Sequence, residues 1–514
     1  MFARILSATL TGFDAAAIEV EADISGGLPG LTLVGLPDTS VSESKERLRA
    51  AMKNSGHSLP AGRITINLAP ADLKKEGSGL DLAVAVAILV ANKIIPEERV
   101  RDLVFVGELS LNGELRHTKG ILPIALMAFQ QNQKGLVAPM PNAQEALVVP
   151  ELNVYAFNTL TELVTAFTQT TPPLPAVGKA RKENNQHENI FTHIDLSCIK
   201  GQTFARRALE IAAAGNHNIL FAGPPGAGKT LLARALPTIL PQLSFEEALD
   251  VTRIYSIKGL LKPGSSLITA RPFRDPHHTI SDIGMIGGGR IPSPGEVSLA
   301  HNGVLFLDEL TEFPKAVLEV LREPLTTGQV SVSRANQTSI FPARFLFAAA
   351  MNPCPCGFST DPHKDCVCST KQLNQYRQKL SGPLLDRIDL HVHVPRLSPE
   401  ELVSKAEGES SEIVRRRVEK ARKIQLKRNK GNNYFLNAHI PPRKIAQYCN
   451  LCPEASDLLL TAARRFGLSA RGYDKVIRVA RTIADLAGAK EVSPVHIAEA
   501  LQFRTQDIFS PNNS

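Results

Sequence analysis

The stretch GPPGAGKT, Gly223 to Thr230, constrains the fold of this chain more than any other. It fits G-x-x-x-x-G-K-[S/T] and lies between an apolar run, Ile219–Ala222, and a helical segment, which is the setting the motif requires. Backbone N–H groups of Gly223, Gly226, Ala227, Gly228 and the helix start can turn onto phosphate oxygens, with Pro224 and Pro225 shaping the loop. Lys229 reaches the β and γ phosphates of ATP, and the Thr230 hydroxyl is a ligand for Mg²⁺. Short apolar runs recur at Val304–Leu307, Phe345–Ala350 and Leu390–Val394, separated by helical patterns. That alternation predicts an α/β fold with a parallel sheet covered on both faces.

The run GVLFLDEL, residues 303 to 310, supplies the second half of such a site. Its acids fall at the carboxyl end of a buried strand, where open α/β sheets bind ligands. Asp308 is expected to hold the metal, and Glu309 to orient and activate water. Asn352 ends a third buried run and can bond the water or a phosphate oxygen if its strand neighbours that of Asp308. Arg387, in SGPLLDRIDL, precedes the last strand, where an arginine can stabilise charge on a phosphate bound by a neighbouring subunit. Arg471 opens a helix and can cover phosphates from above; for either arginine the alternative is a surface ion pair.

A chain of 514 residues is too long for one core, and about three domains are expected. Residues 1–168 mix strand-like runs such as Leu31–Val34 and Ile64–Leu68 with an apolar helix over Asp81–Ala91. Residues 169–193 are polar and proline-rich and read as a linker, residues 194–396 hold the phosphate loop, and 397–510 are helical throughout. There is no apolar run of about eighteen residues, so no membrane partner is expected. Glu19, Glu21 and Asp23 interrupt any signal peptide, which predicts a cytoplasmic protein. The net charge of +8 permits a polyanionic partner, nucleic acid above all.

Four of the seven cysteines lie between 354 and 368. Cys354-x-Cys356 and Cys366-x-Cys368 suit tetrahedral Zn²⁺ in a reducing compartment, with His363 a substitute ligand. The alternatives are unligated thiols or a redox pair. The expected role is structural: a metal fixes the loop leaving Asn352. Cys449 and Cys198 read as buried, inert thiols.

The phosphate loop, the LDEL strand, LLDRID, SARGYDKVIRVARTIADL and above all GGGRIPSPGEVSLAHNGVLFLDEL resemble the magnesium-chelatase clade of AAA+ ATPases. The N-terminal part narrows the resemblance to the ComM/YifB branch, over nearly the whole chain. That resemblance implies a central AAA+ parallel sheet, a C-terminal helical lid and a homohexameric ring. It further implies branch migration on DNA, single-stranded and branched duplex, during natural transformation. A hairpin in GQVSVSRANQTSIFPARF with Arg334 near its tip, and a long insertion carrying Arg271, Arg274, His277, His278 and Arg290, are then expected to face the pore and meet phosphates. The competing reading is a chelatase-type remodeller acting on partner proteins. Residues 1–168 are similar to the Lon protease fold, with Ser78 in the place of its nucleophile. Leu122 occupies the place of the lysine base and Lys119 comes three residues early, so an inactive domain is expected.

Overall fold

The computed structural model describes the chain apart from residues 37–38, 76, 172, 177–193, 290–291, 335–336, 362, 399–400, 402–407, 431–435 and 505–514; the side chains of 39–42, 334 and 337 are also left undescribed. Most of the expected linker falls in that excluded set.

The N-terminal domain is built on a seven-stranded mixed sheet. Its strands are β1 (Phe2–Thr11), β2 (Asp14–Ser25), β3 (Gly30–Val34), β4 (Arg63–Ala69), β5 (Leu103–Phe105), β6 (Gly135–Pro139) and β7 (Asn153–Phe157), in the order β3-β4-β2-β1-β5-β6-β7. β1 and β2 pair antiparallel, so Ala3, Ile5, Ile18 and Val20 turn one way into one core cluster while Leu6, Ala8 and Ala17 turn the other way against a second. Helix α1 (Asp81–Ala91) is buried at every position. It packs on β1 and β2, which explains its lack of a polar face. Helix α2 (Ile121–Gln130) covers the other side.

The second sheet consists of β8 (Ile219–Ala222), β9 (Phe273–Arg274), β10 (Val304–Leu307), β13 (Leu346–Met351) and β14 (Leu390–His393). They run parallel in the order β9-β10-β13-β8-β14. Strands β8, β10 and β13 are buried at every residue, as two covered faces demand. Between β10 and β13 the chain makes a separate hairpin, β11 (Gln329–Arg334) and β12 (Gln337–Pro342). Helices α3 (Thr203–Gly215) and α4 (Lys229–Ile239) lie on one face. Helix α5 (Phe245–Lys258) follows α4 and meets α2 of the N-terminal domain. The start of the glycine- and proline-rich insertion is regular: as β9 it supplies the edge strand of the sheet.

From Ser411 onward the described elements are helical, as expected. They are α7 (Ser411–Arg428), α8 (Pro453–Phe466), α9 (Ala470–Leu486) and α10 (Pro494–Gln502), preceded within the core by α6 (Thr370–Lys379). No described helix is long and apolar enough to cross a membrane.

Candidate active site

Strand order brings the sequence motifs together. β13 lies between β8 and β10, so the loop after β8, Asp308 after β10 and Asn352 after β13 emerge side by side. Gly223 can only be glycine, since a Cβ there would sit 2.1 Å from the Val394 carbonyl oxygen. Gly226 and Gly228 have φ of +79° and +88°, and a Cβ on either would meet nothing within 4 Å. The loop is therefore an open cradle at the N-terminus of α4, which fits a phosphate chain.

Ala227 lies between those two glycines. Its side chain is buried in the core beneath the sheet's helices, and its N–H donates to Pro224 O (3.3 Å). The inward-packed methyl group helps anchor the cradle.

Lys229 Nζ donates to Gly223 O (2.7 Å), Pro224 O (2.9 Å) and Asn352 Oδ1 (3.2 Å). Burial pushes its pKa down to about 8, against the pull of Asp308 and Glu309. Thr230 Oγ1 donates to Asp308 Oδ2 at 2.6 Å, so the two groups suited to Mg²⁺ already face each other.

Glu309 is 59% exposed, at φ +50°, with its carboxylate 3.9 Å from His278 Nδ1. The rings of His277 and His278 lie with centroids 4.1 Å apart, tilted by 33°. The expectation that these histidines meet DNA is corrected for His278, which faces the acid beside the cradle. Sequence reading also missed Tyr376 of α6. Its hydroxyl donates to Asn352 O (3.0 Å) and accepts from Thr311 Oγ1 (2.7 Å), tying the loops after β10 and β13 together. No sequence signal marks it, because the contact spans separate elements.

The four clustered cysteines converge. Their sulfurs lie within 4.8 Å of one another, with Cys354–Cys356 at 3.4 Å, Cys354–Cys366 at 3.7 Å and Cys356–Cys366 at 3.6 Å. Four thiolates at about 2.3 Å around one Zn²⁺ stand ~3.8 Å apart, so the donor set fits. Burial works against ionisation, but main-chain N–H groups of Phe358 and Val367 bring the Cys356 thiol down to about 6. Cys366, despite a main-chain bond from Cys368, is pushed up to about 12 by burial and its neighbours. Such crowding of negative charge is what a divalent cation relieves. His363 is not in the cluster; its main-chain N–H donates to Asp361. Gly357, at φ +85°, brings this loop onto the cradle: a Cβ there would lie 2.7 Å from Pro225 Cδ. Of the remaining thiols Cys449 is buried, as read, but Cys198 is exposed.

The arginines divide by place. Arg387 lies before β14, and its carbonyl accepts from Asn218 Nδ2, just before β8. It therefore sits a four-residue strand, ~13 Å, from its own cradle at the opposite end of the sheet. It is half-buried rather than free, donating to Arg322 O (3.2 Å), Thr326 Oγ1 (3.0 Å) and Pro383 O (2.7 Å). Burial and the nearby charges of Arg322 and Arg471 lower its pKa. Exposed Arg471 is on that same end: Gly472 lies beside Arg504, which donates to Ile388 O, and Lys475 pairs with Asp389 (2.7 Å) just before β14. Arg271 and Arg274 are corrected as DNA contacts. The first is spent on Pro241 O, Asn302 O, Gln242 O and Glu247, the second on both oxygens of Glu296 (2.6 and 2.8 Å). Arg290 lies outside the described residues; Arg334 ends β11, with its side chain undescribed.

In the N-terminal domain Ser78 Oγ donates to Glu108, while Lys75 Nζ is bonded to Pro70 O. Leu122 is buried, and its N–H donates to Glu145 Oε1 (2.8 Å).

A five-stranded parallel sheet with this cradle, acid pair and asparagine at its carboxyl end defines an AAA+ ATPase of the magnesium-chelatase type. The magnesium chelatase subunit ChlI family matches residues 195–402, with further matches to its subunit ChlI region over 20–142 and its C-terminal region over 408–504. The chain is 42% identical over 505 residues to the competence protein ComM of Haemophilus influenzae, covering 98% of this chain and 97% of that one. It is 42% identical over 498 residues to the uncharacterized protein YifB of Escherichia coli, covering 96% of each. A magnesium-chelatase 67 kDa subunit of Chlorobaculum parvum is 27% identical over 159 residues, 30% of this chain and 23% of that one. The chain belongs to the ComM/YifB family.

Proposed function

We propose that this protein is a hexameric ATPase that moves along DNA and drives branch migration during natural transformation. The observation that carries the reading is the division of one active site between two ends of the sheet. Lys229, Thr230, Asp308, Glu309 and Asn352 stand at one end, Arg387 and Arg471 at the other. Neither end is complete alone, so a head-to-tail contact between copies completes it, and such contacts close into rings. ATP supplies the phosphoryl chemistry, with Mg²⁺ held by Thr230 and Asp308. Glu309 orients and activates water, Asn352 fixes the γ-phosphate position, and Lys229 neutralises charge. Arg387 stabilises the transition state from the next subunit, and Arg471 acts from that same side.

DNA as the substrate is supported by the net charge of +8, by full-length likeness to a competence protein, and by the β11–β12 hairpin, which stands apart from the sheet. Arg334, at the end of β11, remains the candidate grip; phosphate contacts carry no sequence information, as a tracking ring requires. The zinc-type cluster stiffens the loop that presses on Pro225 and carries Asn352. The experiment is movement of a synthetic four-way junction in the presence of ATP. Resolution into duplex products that stops on Arg334→Ala, with ATP turnover intact, supports the reading. The chelatase-type alternative draws on the family match, and it becomes the better one if no DNA is bound or moved.

A further inference from the structure

The N-terminal domain touches the ATPase core at the hairpin. β1 and β2 pair to their ends, Thr11 opposite Asp14, so Gly12 and Phe13 make the entire turn between them. Phe13 packs against two core clusters at once. One contains Val330, Val332 and Phe341 of the hairpin; the other contains Val251, Ile254 and Tyr255 of α5. Arg253 of α5 grips the turn from one side. Its guanidinium lies 3.9 Å from the centre of the Phe13 ring, and it donates to Phe13 O (3.1 Å) and to Asp14 Oδ1. On the other side Gly12 approaches β12 so closely that a Cβ would lie 2.9 Å from Ser339 Cβ. Ser339 is buried and pairs with Val332 across the hairpin. The turn is thus wedged between α5 and the hairpin, with an aromatic ring, a cation and a backbone contact holding it there.

Packed interiors transmit displacement instead of absorbing it, so a wedge of this kind makes α5 and the hairpin move together. α5 follows directly on α4, whose first residues form the phosphate cradle. We infer that the N-terminal domain serves as a strut: its Gly12–Phe13 turn positions the hairpin against α5, so that changes at the nucleotide reach the part of the core that grips DNA. This gives the N-terminal domain a mechanical task. The inference rests on the reading of the hairpin as the DNA grip.

The test compares full-length wild type, Phe13→Ala, Phe13→Tyr and Arg253→Gln. Three quantities are measured: ATP turnover alone, ATP turnover with a branched duplex, and thermal unfolding. Phe13→Ala is expected to keep basal turnover within about twofold and to lose DNA stimulation and junction movement by about tenfold. Phe13→Tyr keeps the ring over Arg253 and should restore both. Arg253→Gln leaves the ring in its apolar contacts but removes the cation over it and the guanidinium bonds to the turn, and should reproduce the loss. A merely structural role would instead lower unfolding temperature and basal turnover together, and that result overturns the strut. So does a Phe13→Ala protein that still responds fully to DNA. A wild type that shows no response to DNA removes the translocase reading and the strut with it, an outcome distinct from the other two.

Discussion

Glu309 is the residue to which the proposed mechanism assigns water activation, and its surroundings differ from those of its neighbours. Lys229, Thr230 and Asp308 are bound to each other or to the loop, whereas Glu309 is open to solvent with its carboxylate 3.9 Å from His278 Nδ1. An isosteric amide there keeps the cradle and removes the base. Glu309→Gln should therefore bind nucleotide as wild type does and turn over at least about tenfold more slowly. Equal turnover in a single-cycle assay would take Glu309 out of the mechanism. These residues were legible in the sequence because phosphate chemistry sets their spacing and type. Ala227 was legible only as a member of the loop: the motif leaves its position open, and what buries its methyl group is the packing of separate elements. His278 and Tyr376 were not legible, since what they touch depends on where an edge strand and a later helix land. Arg271 and Arg274 misled for the complementary reason: a glycine-rich sequence looks like a free loop, yet it contains β9, and Glu247 and Glu296 neutralise both arginines.

At the scale of elements, the cysteine loop is the clearest case of local sequence fixing local form. Its sulfur separations match a tetrahedral ion, and Gly357 carries the loop onto Pro225. Protein purified without added metal should contain about one zinc per chain by elemental analysis. Less than about a tenth of an equivalent with all thiols reduced would contradict the site. Metal removal should also weaken nucleotide binding, since Asn352 is only two residues from Cys354.

The contact between the N-terminal domain and α5 makes a second prediction. Burial raises the pKa of Glu145, although Ser256 of α5, the Leu122 N–H and Asn142 all donate to it. Between its unfolded value, about 4.5, and its higher folded value, the folded protein holds the extra proton, so stability falls as pH rises through that window and then levels off. Calorimetry across this range should show that slope in wild type and a flatter one in Glu145→Gln; identical slopes would remove Glu145 as its source. α1 was read to the residue because it is apolar all round. The long pair β1–β2 was not, because its alternation is diluted by alanine, threonine and serine. The placement of the linker remains an expectation from composition.

For the whole molecule, the proposed partner copy rests on the separation of Arg387 from its own cradle. Arg387→Ala should lower hydrolysis by about a thousandfold, as loss of an arginine finger does. Mixing it with Lys229→Ala should restore part of the activity, because some interfaces then join an intact cradle to an intact arginine. Mixed assemblies that form and stay inactive would place Arg387 elsewhere.

The most direct measurement is the steady-state rate of ATP hydrolysis by the full-length protein, with and without a branched DNA duplex. If this is a DNA-driven motor, Mg²⁺-dependent turnover rises severalfold on adding the junction, and the rise is lost as salt screens the phosphate contacts. Turnover that proceeds at one rate whatever DNA is supplied would contradict it.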